Sequence, residues 1–367
     1  MALSSTPRTP PQPARLPNPM QRALQRMGIE TEDFADMAGP LGLTAKETIH
    51  ARGTLKLHHY TPLADSVYRV PVLIVTSLVN QPYILDLVPG QSMVEYLLRQ
   101  GYDVYLIEWG RPRREHKDLT IEDHVLDRLP ECIAKVQEDS GEGEVSIIGY
   151  CVGGLLSAMY AALHAGPKAP LKNLVCMAAP VNGDGLESLK AWMGSGFDEE
   201  SLIEQFGNVP ADWMQNALRA LRPFGKLAGA MNLLNNADKQ EVVRSNLRMG
   251  KWETDNIPFP GGVFRPMVND FLRANKLVKG EWMMRGQRVD LGRIRVPFLH
   301  LLAQDDHITP YASSRDLVRL VGSADKQEIV VKGGHVGLVA GRGAETRSRS
   351  PMAWAWPLRS RATPAAW

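Results

Sequence analysis

The segment best suited to chemistry is 145–154, where an apolar run leads through Gly149 to Cys151, Gly153 and Gly154. This G-x-C-x-G-G pattern, followed by a helical pattern, is typical of a nucleophile elbow with Cys in the usual place of Ser. A sharp strand-to-helix turn strains the central residue, and glycines beside it let the backbones approach closely. The thiol would lie at the positive end of a helix, which favours thiolate. The alternative is a buried structural cysteine.

Two polar groups follow later apolar runs of the chain. Asp306 comes after the run Val296–Ala303, and His335 lies in a glycine-flanked loop after Glu328–Lys332. Parallel sheets place their chemistry just beyond the carboxyl ends of the strands. The order nucleophile, acid, histidine is that of an α/β-hydrolase site.

These residues predict a catalytic triad. His335 would be the general base for Cys151, and Asp306 would orient the ring and stabilise the imidazolium. Asp305 is a competing candidate for the acid, and His307 is interpreted as structural.

An oxyanion hole needs two backbone donors near the nucleophile. One should be the N–H of Val152, which follows the nucleophile, and the second should come from the loop Thr76–Pro82. We expect Val79 or Asn80 to supply it. Alternatively, Asn80 simply caps the turn at Pro82.

Six short apolar runs, separated by helical patterns, predict the elements that position these residues. Continuous Val-, Ile- and Leu-rich runs are typical of parallel strands covered on both faces. The chain is therefore predicted to form an α/β fold with a mostly parallel, doubly wound sheet. The predicted strands are Val70–Thr76, Tyr102–Glu108, Val145–Ile148, Leu174–Ala178, Val296–Ala303 and Glu328–Lys332.

The alternation stops between residues 181 and 286, where helical periods occur without a clear strand. Such an insertion often covers the active-site edge of a sheet as a cap, and the alternative is a second packing layer without a gating role. The predicted organisation is a Pro-rich leader and N-terminal segment (1–40), core (41–180), helical cap (181–286), core (287–340) and an Arg- and Trp-rich tail (341–367). We expect the tail to fray, with only local packing.

Composition excludes several classes of protein. The 367 residues carry 42 Lys and Arg against 40 Asp and Glu, and this net charge of +2 argues against nucleic acid as a partner. Three cysteines do not make a disulfide framework, and Cys132 and Cys176 are interpreted as inert core thiols. His58 and His59 flank no further ligand residues, so we expect no metal. Without a signal-like or membrane-spanning run, a cytoplasmic location is expected.

Seven segments in order, across residues 65 to 340, resemble the catalytic subunit of polyhydroxyalkanoate synthases, most closely the short class III type. A single motif of this kind is weak, but the ordered set is specific. The segments are Pro71–Leu87, Asp103–Gly110, the elbow at 149–154, Ala179–Val181, Asn246–Trp252 with Asp255, Asp306–His307 and Gly334–Gly337.

The resemblance implies an α/β-hydrolase fold and an acyltransferase that polymerises (R)-3-hydroxyacyl-CoA, with 3-hydroxybutyryl-CoA as the expected substrate. Cys151 would carry the growing polyester as a thioester, and His335 with Asp306 would activate the thiol and the substrate hydroxyl. CoA is released from the substrate, so no cofactor is implied. The resemblance also implies a homodimer, a second subunit of the class III or IV type, and attachment to polymer granules in the cytoplasm.

Two other functions fit parts of the pattern. A polyester depolymerase or thioesterase would share the fold, and a scaffold protein could keep it without catalysis. Cysteine favours the polymerase because a thiolate attacking a thioester gives another thioester, a nearly balanced exchange, although thiol-dependent hydrolysis would also use it. The ordered Cys151, Asp306 and His335 argue against a scaffold.

Overall fold

The computed structural model describes residues 38–166, 169–221, 231, 235–236, 239–340 and 364–366. The chain divides into two units, 1–39 with 224–247 and 40–223 with 248–367. In the first unit, Ala38, Val243 and Leu247 form a small buried cluster. The second unit contains the sheet and every candidate site residue.

An eight-stranded sheet forms the centre of the second unit, in the order β1-β2-β4-β3-β5-β6-β7-β8. The first two strands are antiparallel to their neighbours, and the other six run parallel to one another. This confirms the predicted mostly parallel α/β sheet. The strands are β1 (Lys46–Arg52), β2 (Leu55–Tyr60), β3 (Val72–Val75), β4 (Val104–Glu108), β5 (Val145–Tyr150), β6 (Leu171–Met177), β7 (Phe298–Ala303) and β8 (Lys326–Val331).

All six predicted strands are present, whereas β1 and β2 were missed. Strand β1 lies at the sheet edge and is largely exposed, so it lacks the continuous apolar run of a buried strand. It joins β2 through a tight turn in which Gly53 has a φ of 62°.

The helices cover the sheet and fill its connections. Between β4 and β5, a π-helical segment, Asp123–Arg128, leads directly into a regular helix. The α-helices are α1 (Met93–Arg99), α2 (Leu129–Ser140), α3 (Val152–Leu163), α4 (Glu187–Trp192), α5 (Glu199–Phe206), α6 (Ala211–Ala220), α7 (Gln240–Thr254), α8 (Gly261–Pro266), α9 (Lys276–Lys279), α10 (Tyr311–Ser314) and α11 (Asp316–Leu320).

The stretch between β6 and β7 is mainly helical, as expected, and contains α4 to α9. It also holds two short ladders, Asn208–Val209 with Phe259–Pro260 and Met283–Met284 with Gln287–Arg288. Strands of two residues are too short to leave a periodic signal.

The chain ends depart in part from expectation. The predicted leader and most of the tail, residues 1–37, 341–363 and 367, lie outside the described residues. The described part of the tail does not simply fray, because Pro364–Ala366 pairs antiparallel with Ser66–Tyr68. Among the described helices, none is long and apolar enough to cross a membrane.

Candidate active site

The nucleophile elbow lies between β5 and α3. Cys151 has φ 56° and ψ −125°, a backbone conformation that non-glycine residues rarely adopt. Its N–H donates to the carbonyl of Met177 at 2.9 Å, which ties the turn to β6. The strained turn agrees with the elbow predicted from the glycine pattern.

Close backbone approach explains the glycines around Cys151. A Cβ on Gly149 would lie 2.6 Å from the Cα of Gly154. A Cβ on Gly153 would lie 2.1 Å from the carbonyl oxygen of Val75. The second approach also fixes the start of the loop after β3 directly beside the elbow.

Asp306 and His335 meet beyond the ends of β7 and β8. The Nδ1–H of His335 donates to Oδ2 of Asp306 at 2.7 Å, and both side chains are buried. Asp306 also accepts the backbone N–H groups of Ile308 (2.9 Å) and Thr309 (2.8 Å), together with the Thr309 hydroxyl (2.8 Å). A carboxylate with this many donors is held in one orientation.

The electrostatics of this pair favour an ionised acid and a protonated histidine. Burial raises the pKa of Asp306, but the charge of His335 and the hydrogen bonds from His335 and Thr309 outweigh it and hold the pKa low. Burial lowers the pKa of His335, whereas Asp306, followed by Cys151, raises it to about 10. The ring of Tyr150, the residue before Cys151, packs 5.0 Å from the imidazole, which brings the elbow to His335.

The structure brings Asp306 to His335, not the competing Asp305. Asp305 is exposed and uses its backbone N–H to bind the carbonyl of Gly333 at 2.8 Å. His307 is exposed as well. Although His307 is next to Asp306 in the chain, its exposed side chain does not join the contact between Asp306 and His335.

The two other cysteines lie in the core. Burial raises the pKa of Cys132 to about 12 and also raises the pKa of Cys176. Both thiols therefore stay protonated at neutral pH, in line with their interpretation as inert core thiols.

Sequence reasoning missed two neighbours of His335. The Tyr150 ring packs 5.0 Å from the imidazole, and its hydroxyl donates to the His335 carbonyl at 3.3 Å. The Thr309 hydroxyl lies 3.1 Å from Nδ1 of His335. The signal for Thr309 was the Asp-x-x-Thr spacing, typical of an Asx or ST turn. Tyr150 gave no signal, because it occupies an unspecified position of the G-x-C-x-G-G pattern.

The candidate oxyanion donors lie at the elbow and on the adjoining loop. Val152 begins α3, where a backbone N–H has no acceptor within the helix. The N–H of Val79 donates to Ser77 Oγ at 3.3 Å. The Asn80 side chain donates to Asn256 Oδ1 at 2.6 Å and does not cap the turn at Pro82, because the N-cap residue there is Gln81, without a side-chain hydrogen bond. The assignment of the second donor stays a prediction.

The insertion binds the loop after β3 at two of its backbone carbonyls. The N–H of Ile257 donates to the Val79 carbonyl at 3.1 Å, and Trp252 Nε1 donates to the Gln81 carbonyl at 2.9 Å. Both carbonyls therefore point towards the insertion. Since a peptide group is planar and trans, the bond to the Val79 carbonyl also fixes the direction of the Asn80 N–H, whereas Pro82, which follows Gln81, has no N–H.

Asp255 is the centre of a polar contact between the insertion and the core, here named the latch. The Tyr83 hydroxyl donates to Asp255 Oδ2 at 3.1 Å, and the Arg111 guanidinium pairs with Oδ1. Arg111 also donates to the Asn256 carbonyl at 3.1 Å. The latch thus joins the loops after β3 and β4 to one turn of the insertion.

No group of residues in the described part of the chain could hold a metal ion. The two histidines considered earlier pair with carboxylates instead: His58 with Glu108 at 2.8 Å, and His59 with Asp103 at 2.7 Å and Asp139 at 2.9 Å. These contacts tie β2 to its surroundings.

Comparisons with known proteins agree with this architecture. Residues 70–341 match the family described as the alpha/beta hydrolase fold. Residues 24–97 match the family described as the poly-beta-hydroxybutyrate polymerase (PhaC) N-terminus. Among solved structures, an alpha/beta hydrolase fold protein from Nakamurella multipartita aligns with a TM-score of 0.47 and 17% identity, over 87% of this chain and 100% of that one.

Three relatives bear the name poly(3-hydroxyalkanoate) polymerase subunit PhaC. That of Haloferax mediterranei is 35% identical over 87% of this chain, which spans 64% of that protein. Those of Allochromatium vinosum and Thiocystis violacea are 33% and 31% identical, each over 89% of this chain and 92% of the relative. The chain therefore belongs to the alpha/beta-hydrolase family and, within it, to the poly(3-hydroxyalkanoate) polymerase subunit PhaC family.

Proposed function

We propose that this chain polymerises (R)-3-hydroxyacyl-CoA into polyester and releases CoA, with Cys151, His335 and Asp306 as its catalytic triad. The observation that carries the proposal is the strained Cys151 elbow beside a buried imidazole that is hydrogen-bonded to a buried carboxylate. The family membership supplies the reaction class. The geometry supports the choice of these three residues.

The first half-reaction transfers an acyl group to the enzyme. The proton of the Cys151 thiol passes to Nε2 of His335, which gives the protonated imidazole described above, and the Sγ thiolate attacks the thioester carbonyl of acyl-CoA. The tetrahedral oxyanion is stabilised by the N–H of Val152 and a second N–H from Val79 or Asn80. The carbon–sulfur bond to CoA breaks, and His335 returns the proton to the leaving thiolate.

The second half-reaction lengthens the chain. The 3-hydroxyl of an incoming hydroxyacyl-CoA attacks the thioester on Cys151, and His335 accepts the hydroxyl proton. An ester bond forms, the bond to Cys151 breaks, and the thiolate regains the proton. Throughout, Asp306 holds the imidazole by Nδ1 and stabilises its positive charge. Cys151 then attacks the CoA thioester of the elongated chain.

The direct test is incubation with 3-hydroxybutyryl-CoA, with or without candidate partner subunits. We expect CoA release together with insoluble polymer, and a Cys151→Ala variant that lacks both. Cys132→Ala is the matched control, because it removes a buried thiol of α2, away from the elbow, and should keep activity. Thermal unfolding of both variants checks that they fold.

The outcome also separates the polymerase from the alternatives. Free 3-hydroxybutyrate without polymer would identify a thioesterase and overturn the polymerase. Unchanged CoA release by Cys151→Ala would contradict the proposed triad. If the unmodified chain turned over no substrate, the scaffold protein would remain as the interpretation.

The proposal extends to assembly and location. The relatives are named as subunits, which supports a second synthase subunit beside a homodimer of this chain. The product is insoluble, so we propose that the working enzyme lies at the surface of polymer granules in the cytoplasm. Cosedimentation with granules, against a granule-free control, tests this placement.

A further inference from the structure

The loop after β4 carries an excess of exposed positive charge. Residues 110–118 contain Arg111, Arg113, Arg114 and Lys117 against two acidic residues. Arg111 pairs with Asp255 in the latch, and Arg113 pairs with its neighbour Glu115. Within the described part of the chain, Arg114 and Lys117 have no carboxylate partner.

These two free cations are held side by side. A Cβ built on Gly207 would lie 3.4 Å from Lys117 Cβ and 3.9 Å from Arg114 Cγ, so both stems pack on the same glycine. The backbone is also fixed, because Gly262 N–H donates to the Lys117 carbonyl at 2.7 Å. The short helix Arg114–His116 completes the turn between them. The structure therefore holds the stems of Arg114 and Lys117 in defined positions on the surface.

The pair also lies on the reactive side of the sheet. Strand β4 runs parallel to β3, and β3 runs parallel to β5, so the loops after all three strands open at the same edge. Cys151 follows β5 at that edge. A ligand that reaches Cys151 from outside can thus meet Arg114 and Lys117 on the same face.

Guanidinium and ammonium groups recognise phosphate oxygens, the first through paired hydrogen bonds and the second as a point charge. Under the proposed function, the substrate brings such groups: the nucleotide of CoA carries a diphosphate and a 3′-phosphate. Its pantetheine arm carries neither. We propose that Arg114 and Lys117 bind the phosphates of the CoA nucleotide and so hold the thioester at Cys151. This inference rests on the proposed function.

The test compares two substrates with the same acyl group, 3-hydroxybutyryl-CoA and 3-hydroxybutyryl-pantetheine. In an R114Q/K117Q variant, we expect KM for the CoA thioester to rise roughly tenfold, with little change in kcat. KM for the pantetheine thioester should stay unchanged, because that substrate has no phosphate to lose. Added salt should raise KM for the CoA thioester more steeply in the unmodified enzyme than in the variant.

The matched control is R69Q/K172Q. It removes the same charge from Arg69 and Lys172, which pair with Glu142 and Glu144 near the opposite ends of the strands. This variant should leave both KM values unchanged. An equal rise in KM for both substrates, or no rise in either, would overturn the CoA site while the polymerase stands.

Two further results identify other failures. Loss of binding to anionic phospholipid vesicles by R114Q/K117Q, with KM for the CoA thioester unchanged, would assign the pair to a lipid surface and overturn the proposal. If the unmodified enzyme turned over neither thioester, the proposed function itself would fail.

Discussion

His335 and His300 are both buried, yet their environments shift their pKa values in opposite directions. His335 donates to Asp306 at 2.7 Å, and its pKa is raised. His300, in the middle of β7, lies 3.5 Å from Glu328 Oε2, and neither of its ring nitrogens makes a hydrogen bond in the described structure. Burial lowers its pKa.

The difference shows that burial alone does not set the direction in which the pKa of a histidine shifts. Desolvation opposes the charged imidazole at both positions. Only a buried carboxylate within hydrogen-bond distance reverses the effect, and Asp306 is itself held by Thr309 and Ile308. Glu328 is partly exposed and shared with the hydroxyl of Tyr311 at 2.9 Å.

The largest expected effect comes from exchanging each histidine for Gln. His335→Gln should lower kcat for CoA release by about 10⁴-fold or more, because no group then accepts the thiol proton. His300→Gln, the matched control, should keep kcat within about threefold. A comparable loss in both variants would show that the comparison between the two sites is wrong.

The second prediction concerns Asp306, the buried carboxylate that is hydrogen-bonded to His335 and has no equivalent at His300. Asp306→Asn should lower kcat by about 10²- to 10⁴-fold, since the amide neither holds the charged imidazole nor favours its reactive tautomer. Asp305→Asn, one residue away and exposed, should leave kcat unchanged.

The same variant has a predicted pH signature. Because the folded-state pKa of His335 is raised to about 10, its stabilisation is complete below about pH 6.5 and is lost as the pH rises from there through the folded-state pKa. Asp306, whose pKa is lowered, contributes above about pH 4 and loses its contribution in acid. Asp306→Asn should therefore lose about 3 kcal/mol of unfolding free energy near pH 6 and less near pH 10. Urea unfolding at pH 6, 8 and 10 measures this, and a constant difference would contradict it.

The sequence predicts that Asp306 and His335 lie at the same edge of the sheet, and the structure brings them together. Cys151, Asp306 and His335 each follow an apolar strand, and parallel strands bring their carboxyl ends to one edge. The strand patterns were visible because β3, β5 and β7 are buried on both faces.

The features that escaped prediction depend on contacts between distant segments. Asp255 meets Arg111 across 144 positions, and nothing local indicates how the insertion folds back. Tyr150 contacts His335 across 185 positions for the same reason. Strand β1 escaped because its exposed face is polar, which removes the apolar signal.

A third, smaller effect is expected at a carboxylate of intermediate burial. The Asp255 side chain is 34% exposed, against 1% for Asp306. Asp255→Ala would loosen the latch and with it the loop that carries the candidate oxyanion donors, so we expect kcat to fall roughly tenfold with the fold intact. Asp255→Glu should recover part of the loss. Asp270→Asn, which breaks the exposed pair with Lys276, is the control and should have no effect. A change in unfolding temperature without a change in kcat would make the latch purely structural.

The smallest effect concerns His300 and reverses the usual expectation for a core substitution. His300→Leu removes an imidazole without hydrogen bonds from a fully buried site, and we expect a gain of about 1 kcal/mol in unfolding free energy at pH 7.5. Since the folded-state pKa of His300 is lowered, the unfolded chain binds a proton there more readily, and this residue destabilises the fold as the pH falls below 6.5. The advantage of His300→Leu should therefore widen between pH 7.5 and pH 5, opposite in sign to the contribution of His335. Urea unfolding of both proteins at the two pH values measures this difference in unfolding free energy. A smaller advantage of His300→Leu at pH 5 would mean that His300 is protonated beside Glu328 in the folded protein.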